Sequence, residues 1–295
     1  MKKVILSAAA LMFGMVAFAQ NTSDVDQAGT NNVGTITQTG NNTSDLDQWS
    51  LDNDATVTQT GTNSSTVEQS FEGNIATVDQ DGTNTSLIDQ HGESHEGHVM
   101  QTGASNSSTL LQGNSNADDD HLANITQNGS DNVSYVKQVA DNNIASVSQD
   151  GVNNDVNIYQ NGDPNNTNGN SSTISQTGDY NKTITDQRTA ASYNSGLTSN
   201  METVSQNGDY NWSKLIQDGD YNTSNVTQSV GGAGGTNGFS NEADVYQSGE
   251  FNLSNITQDG HDNWADLDQT NTSGSLQSST IIQNGGENRA RVMQQ

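Results

Sequence analysis

The run Asn143-Ile144-Ala145-Ser146-Val147-Ser148-Gln149, then Asp150-Gly151-Val152-Asn153-Asn154, then Asp155-Val156-Asn157-Ile158-Tyr159-Gln160, decides the fold. Asn143, Ala145, Val147 and Gln149 share one parity, and Ile144, Ser146 and Ser148 share the other. A period of two marks a strand with one buried face. Gly151 and the asparagines between the two strands tolerate the positive φ of a tight turn. The stretch reads as strand, turn, strand, with strands of about five or six residues and no room for a helix.

Outward from this stretch, the same glutamine recurs from Gln27 to Gln294, 23 times in all. Fourteen of the 22 gaps are 11 residues, three are 10, and five are longer and read as insertions. The residue two before the glutamine is Val, Ile or Leu in 22 cases, Thr185 being the exception. A short fixed period over most of a chain means a repeat array. Numbering the glutamines in order, Gly stands two places after even-numbered ones in 10 of 11 cases and after odd-numbered ones in 5 of 11. The two kinds of turn must lie on opposite edges, so two units make one lap of about 22 residues. The expected fold is an all-β, two-sheet β-solenoid of about 11 stacked strand-turn-strand laps, amyloid-like in its in-register stacking.

In that fold the inward amides stack as ladders, each side-chain N–H meeting the C=O of the next rung, which satisfies groups costly to bury unpaired. The ladder is expected at Gln38, Gln59, Gln80, Gln101, Gln127, Gln149, Gln160, Gln258, Gln269, Gln283 and Gln294, and at Asn132, Asn143, Asn154, Asn263 and Asn288. Turn glycines are expected at Gly40, Gly61, Gly82, Gly103, Gly129, Gly151, Gly178, Gly208, Gly260 and Gly285. The insertions read as loops at Gly113–His121, Asp163–Gly169, Arg188–Leu197, Ser229–Phe239 and Thr270–Ser278, the only proline, Pro164, among them.

Residues 1–19 stand apart: Lys2 and Lys3, an apolar Val4–Val16 and the small-residue site Ala17-Phe18-Ala19 read as a secretory signal peptide. Residues 20–32 then form a short segment with the first strand, and 33–295 the solenoid. No later segment is apolar enough to span a bilayer as a helix, so an exported chain without membrane insertion is expected. The chain has no cysteine, which excludes disulfides and a lipid-bearing N-terminal cysteine. A net charge of −27 argues against nucleic acid and anionic membranes as partners.

The unit Gln-x-Gly-x-x-Asn-x-Ala-x-x-x-Gln resembles the curlin repeat of bacterial curli-type functional amyloid. Gln258, Gly260, Asn263, Ala265, Gln269 and Gln283, Gly285, Asn288, Ala290, Gln294 match it at every position. The resemblance implies a secreted subunit that self-assembles, alone or with other curlin-like subunits, into cell-surface fibres for adhesion and biofilm matrix. It also implies a dedicated outer-membrane export machinery. The array departs from the family's usual five or so repeats in its length, its three short laps and its loops. A monomeric β-solenoid surface adhesin or binding module is the alternative.

No nucleophile–base–orienter trio emerges, and no cofactor, catalytic or metal site is expected. His91, His95 and His98, with Glu93 and Glu96, read as a solvated polar turn, a weak metal site being the rival reading. Asp118-Asp119-Asp120-His121 reads as a solvated acidic loop, against weak Ca²⁺ binding, and Gly231-Gly232-Ala233-Gly234-Gly235 as a flexible loop. Tyr180 and Tyr210, each in an Asp-Tyr-Asn turn one lap apart, should stack, either as turn packing or as a binding strip.

Overall fold

The computed structural model describes residues 20–113, 119–162, 169–189, 199–230, 241–271 and 275–295. The signal-peptide reading of 1–19, Pro164, Asp118 and the Gly231–Gly235 run lie outside these. The chain is 79% strand with no helix among the described residues, and it forms a β-solenoid of about 11 turns.

In chain order the strands are β1 (Thr22–Thr30), β2 (Val33–Gly40), β3 (Thr43–Leu51), β4 (Asp54–Gly61), β5 (Ser64–Glu72), β6 (Ile75–His91) and β7 (Glu96–Gln112). There follow β8 (Leu122–Ser130), β9 (Val133–Val139), β10 (Ile144–Val152), β11 (Asp155–Asn161), β12 (Ser171–Thr177), β13 (Lys182–Arg188) and β14 (Met201–Asn207). The last are β15 (Trp212–Asp220), β16 (Thr223–Ser229), β17 (Glu242–Glu250), β18 (Asn252–His261), β19 (Trp264–Asn271), β20 (Gln277–Gly286) and β21 (Arg289–Gln294).

All pairing is parallel and runs between laps, so glutamine faces glutamine at every rung. The pairings form two columns. The first runs β1, β3, β5 and on to β21 through the odd-numbered glutamines. The second runs β2, β4 and on to β20 through the even-numbered ones. The strands β6 and β7 enter both columns, and by connectivity everything is one 21-stranded sheet. Most strands run 7–10 residues, longer than the expected five or six, and β6 and β7 reach 17 because pairing continues around their bend.

The three short laps have a local explanation. In the 11-residue turns an extra residue just before the ladder asparagine takes positive φ, as at Ser105 (58°) and Asp131 (56°). The 10-residue turns omit it. Where the two kinds stack, between β6 and β7, the register shifts at Thr83/Thr85. One lap thus gains or loses a residue without breaking the column above it.

The insertions are shorter than their sequence boundaries. Gly113 and His121 lie next to the regular rungs, Arg188 and Ser229 end β13 and β16, Thr270 belongs to β19, and Ser278 belongs to β20. Between the columns lies a thin core in which Leu46, Val57, Ile88, Leu110, Ile125, Ile158, Leu215 and Leu267 are fully buried. Each such side chain contributes roughly 1.5–3 kcal/mol by leaving water.

Candidate functional site: the ladders and the end rungs

Gln38, Gln59, Gln80, Gln101, Gln127, Gln149, Gln258 and Gln283 belong to the second column, and Gln160, Gln269 and Gln294 to the first. In the second column every glutamine Nε2 donates to the Oε1 of the next rung at 2.7–3.0 Å. In the first column the same bonds run from Gln48 to Gln294 at 2.7–3.0 Å, preceded by Gln27 to Gln48. The second hydrogen of each amide goes elsewhere. It reaches a backbone carbonyl at the start of a strand in the other column, as from Gln149 to Val133 (3.0 Å) and Gln160 to Ile144 (2.9 Å). One side chain therefore ties rung to rung and column to column.

The asparagines add a backbone bond to their ladder. In many rungs Nδ2 donates to the Oδ1 one rung before, as Asn132 to Asn106 (3.0 Å) and Asn288 to Asn263 (2.8 Å). The Oδ1 of most also accepts the backbone N–H of the asparagine one rung on. This holds from Asn106 to Asn132 (3.1 Å), Asn132 to Asn154 (3.0 Å), Asn241 to Asn263 (3.4 Å) and Asn263 to Asn288 (3.3 Å). Their Nδ2 groups close the turns, Asn74 donating to the carbonyls of Ser70 and Gly92, both at 2.9 Å. Asn143 passes the same bond to Asn170 (2.9 Å), but its own N–H is received by His121 Nδ1 (3.2 Å).

Here the sequence reading of the histidines is corrected. His95 and His121 are not solvated: they are 0% and 1% exposed and occupy two rungs of the asparagine column. Asn74 Oδ1 accepts the His95 N–H (3.0 Å), and His95 Nδ1 accepts that of His121 (3.3 Å). The rings stack with centroids 4.7 Å apart. Burial pushes His95 down to about 4 and His121 down to about 2, so both are neutral with Nδ1 as acceptor. His98 instead sits outside, 2.7 Å from Glu96. No group of three or more potential metal ligands converges among the described residues.

The turn glycines stack as tightly as the amides. Gly40 has a φ of 113°, and a Cβ on it would lie 2.2 Å from the carbonyl oxygen of Gly61. Gly61, Gly82, Gly103, Gly129, Gly151, Gly178 and Gly260 meet the next rung's glycine carbonyl in the same way. Gly208 meets Val230, the one lap of that column without the glycine, and Gly285 has open space beyond it. Tyr180 and Tyr210 do stack, with centroids 4.9 Å apart and planes 2° from parallel. Tyr221 and Phe251 form a second such pair on the other edge, where the Asp-Tyr-Asn pattern gives no sign of the phenylalanine partner.

The two departures from the core pattern meet. Thr185, the exception two before a glutamine, is buried, and across the core lies Glu202, 3% exposed. Glu202 fills a place that serine or alanine takes on neighbouring rungs. Ser172 Oγ donates to its Oε1. Burial pushes its carboxyl up to about 8, against the opposing pull of the Ser172 and Thr185 hydroxyls. Parity alone would have flagged it as an inward acid.

At the ends, Gln27 and Gln38 present Oε1 atoms that accept no ladder bond, and β1 and β2 have no strand outside them among the described residues. At the far end Gln283 and Gln294 donate one hydrogen back, to Trp264 (2.9 Å) and Ser278 (3.2 Å), and meet no further rung. Arg291 pairs with Asp266 of the previous rung at 3.1 Å.

This geometry defines a class: parallel β-solenoids held by directional side-chain amide ladders. The Curlin associated repeat matches residues 119–151, 198–229 and 238–270. The chain carries curlin-type repeats in these three stretches. No curated protein matches it.

Proposed function

We propose that this chain is an exported structural subunit that stacks end to end into curli-like extracellular amyloid fibres serving adhesion and biofilm matrix. The observation that carries this is the direction of the glutamine ladders. Acceptors stand open on the first rung and donors on the last, so a second copy placed head to tail would continue both columns. Unpaired parallel edges recruit strands of matching register. The laps would then form the two packed faces of a cross-β fibre at a spacing of ~4.8 Å. Residues 1–19 would direct export, and the partners would be further copies, other curlin-like subunits and an outer-membrane exporter. The curlin-repeat family is structural rather than enzymatic.

Thioflavin-T kinetics with electron microscopy on residues 20–295 test the reading. Unbranched fibres growing faster when seeded are expected, and a chain that stays monomeric and seed-insensitive would contradict it. The latter outcome would favour a monomeric adhesin, for which the exposed Tyr180–Tyr210 stack is the natural contact strip.

A further inference from the structure

The two columns present different outer faces. Outward positions of the first column hold the charge: Asp26, Asp47, Glu68 and Asp89 run along one row, and Lys137, Lys182, Lys214, Arg289 and Arg291 all lie on this face. Its aromatic residues include Tyr135, Trp212 and Trp264.

The second column is different in kind. From β8 through β20 the outward side chains ahead of each ladder glutamine are neither charged nor aromatic, and the acids Asp150 and Asp259 stand just past Gln149 and Gln258 at the edge of the face. One row reads Asn124, Ser146, Thr173, Thr203, Asn225, Asn255 in strict register. The row two residues on, from Thr126 to Thr257, is Thr or Ser throughout. Beside them stand exposed aliphatics, with Ile144 at 45%, Met201 at 52% and Ile282 at 66%. Towards the other end of the column, β4, β6 and β7 add Asp54, Asp79, Asp81, Glu96 and His98.

We propose that this face from β8 to β20, uncharged ahead of the glutamines, is a docking surface for a second copy of the chain, so that solenoids pair laterally, face to face. Three features single out a copy as the occupant. With a net charge of −27, two copies repel through any charged surface, and from β8 to β20 this face carries its acids only at one edge. Short side chains repeating at the ~4.8 Å rung spacing interdigitate only with a surface of the same repeat, which a second solenoid has. The size is near what is needed: the seven strands of this column from β8 to β20 at ~4.8 Å, each about six residues of ~3.3 Å wide, give about 670 Å². A standard interface takes roughly 800 Å² per partner. The exposed aliphatics on it are what such an interface covers.

The proposal rests on the fibre reading only for the form in which it is measured. Mass per length of fibres by dark-field scanning transmission electron microscopy is expected to give two chains per ~55 Å of axis. Ser146→Lys with Thr203→Lys should halve it, while Thr109→Lys with Asn157→Lys on the charged face should leave it unchanged. Ile144→Lys with Met201→Lys, at side chains already exposed, repeats the test should the first pair lose its circular-dichroism β signal. Single-chain mass per length in the wild type, or equal effects from both faces, would overturn lateral pairing while leaving end-to-end stacking intact. If the chain forms no fibre, sedimentation velocity decides instead. A wild-type dimer that the Ser146/Thr203 variant dissociates supports the face, and a wild-type monomer overturns it.

Discussion

The glutamine and asparagine columns run side by side through the same laps, yet one is uniform and the other is not. Glutamine occupies every rung from Gln27 to Gln294, while the asparagine column admits His95 and His121. The difference lies in what each amide must do. A ladder glutamine accepts one hydrogen bond and donates two, to the next glutamine and to a carbonyl in the other column. No other neutral side chain of that length offers two donors and an acceptor so placed. The asparagine's Oδ1 takes a backbone N–H as well as a neighbour's Nδ2, and a neutral imidazole Nδ1 keeps the backbone bond while giving up the amide one. The substitution exchanges an amide for a group that titrates.

The largest expected effect separates the two columns. Gln149→Leu with Gln160→Leu removes six hydrogen bonds and strands buried partners on Gln127, Gln138, Gln176 and Gln187. At about 1–1.5 kcal/mol each the loss is on the order of 6–9 kcal/mol. Asn74→His keeps the column's backbone acceptor but loses the Nδ2 bonds to Asn53, Ser70 and Gly92, and should cost about 3–4.5 kcal/mol at pH 8. Chemical denaturation of both variants measures the gap; equal losses would erase the distinction.

Acid should find the histidine rungs next. Their folded values, about 4 and about 2, lie below the ordinary 6.5, so unfolding takes up protons. The stability they contribute is fully present above pH 6.5 and is lost as pH falls from there towards 4 and below. At pH 4 the loss is roughly 3 kcal/mol per histidine. His95→Asn with His121→Asn should flatten this limb of the stability-pH profile, and an unchanged profile would contradict the neutral ladder assignment.

Glu202 works in the opposite sense. Its folded value, about 8, lies above the ordinary 4.5, so its share of stability is present below pH 4.5 and erodes as pH rises towards 8. Glu202→Gln should stabilise the fold by roughly 3 kcal/mol at pH 7 and by little at pH 4. Stability measured at both pH values checks it; no gain at pH 7 would mean that the carboxyl is not held neutral.

The smallest effect belongs to the outer acids. Asp47 is raised by partial burial and by Asp45, Asp26 and Asp24 around it, a sign of mutual repulsion along the rungs. Asp47→Asn with Asp79→Asn should leave stability within about 0.5 kcal/mol and modestly quicken assembly. Assembly slowed as much as by the glutamine pair would undo the assignment of inward and outward faces.

Much of this was legible in the residues because parity and period are local. Alternation placed Ala145, Val147 and Gln149 inside and Ile144 outside, and the two turn chemistries gave the lap. The curlin-like spacing pointed to the family. What escaped depended on groups distant in sequence. His95 and His121 stand six before Gln101 and Gln127, where asparagine belongs, but histidine among acids reads as surface until the lap closes around it. The second hydrogen of each glutamine finds its carbonyl 15 or more residues away, in the other column. The length of β6 and β7 came from a bulge that only stacked turns of unequal length produce.

The central claim is that the ladders continue from one chain to the next. A helical reconstruction of the assembled fibre by electron cryomicroscopy tests it most directly. The account predicts Gln283 and Gln294 of one copy stacked ~4.8 Å below Gln38 and Gln27 of the next, with both glutamine columns unbroken across the junction. Copies joined only side by side, or an end-to-end junction whose glutamine columns are out of register, would contradict it.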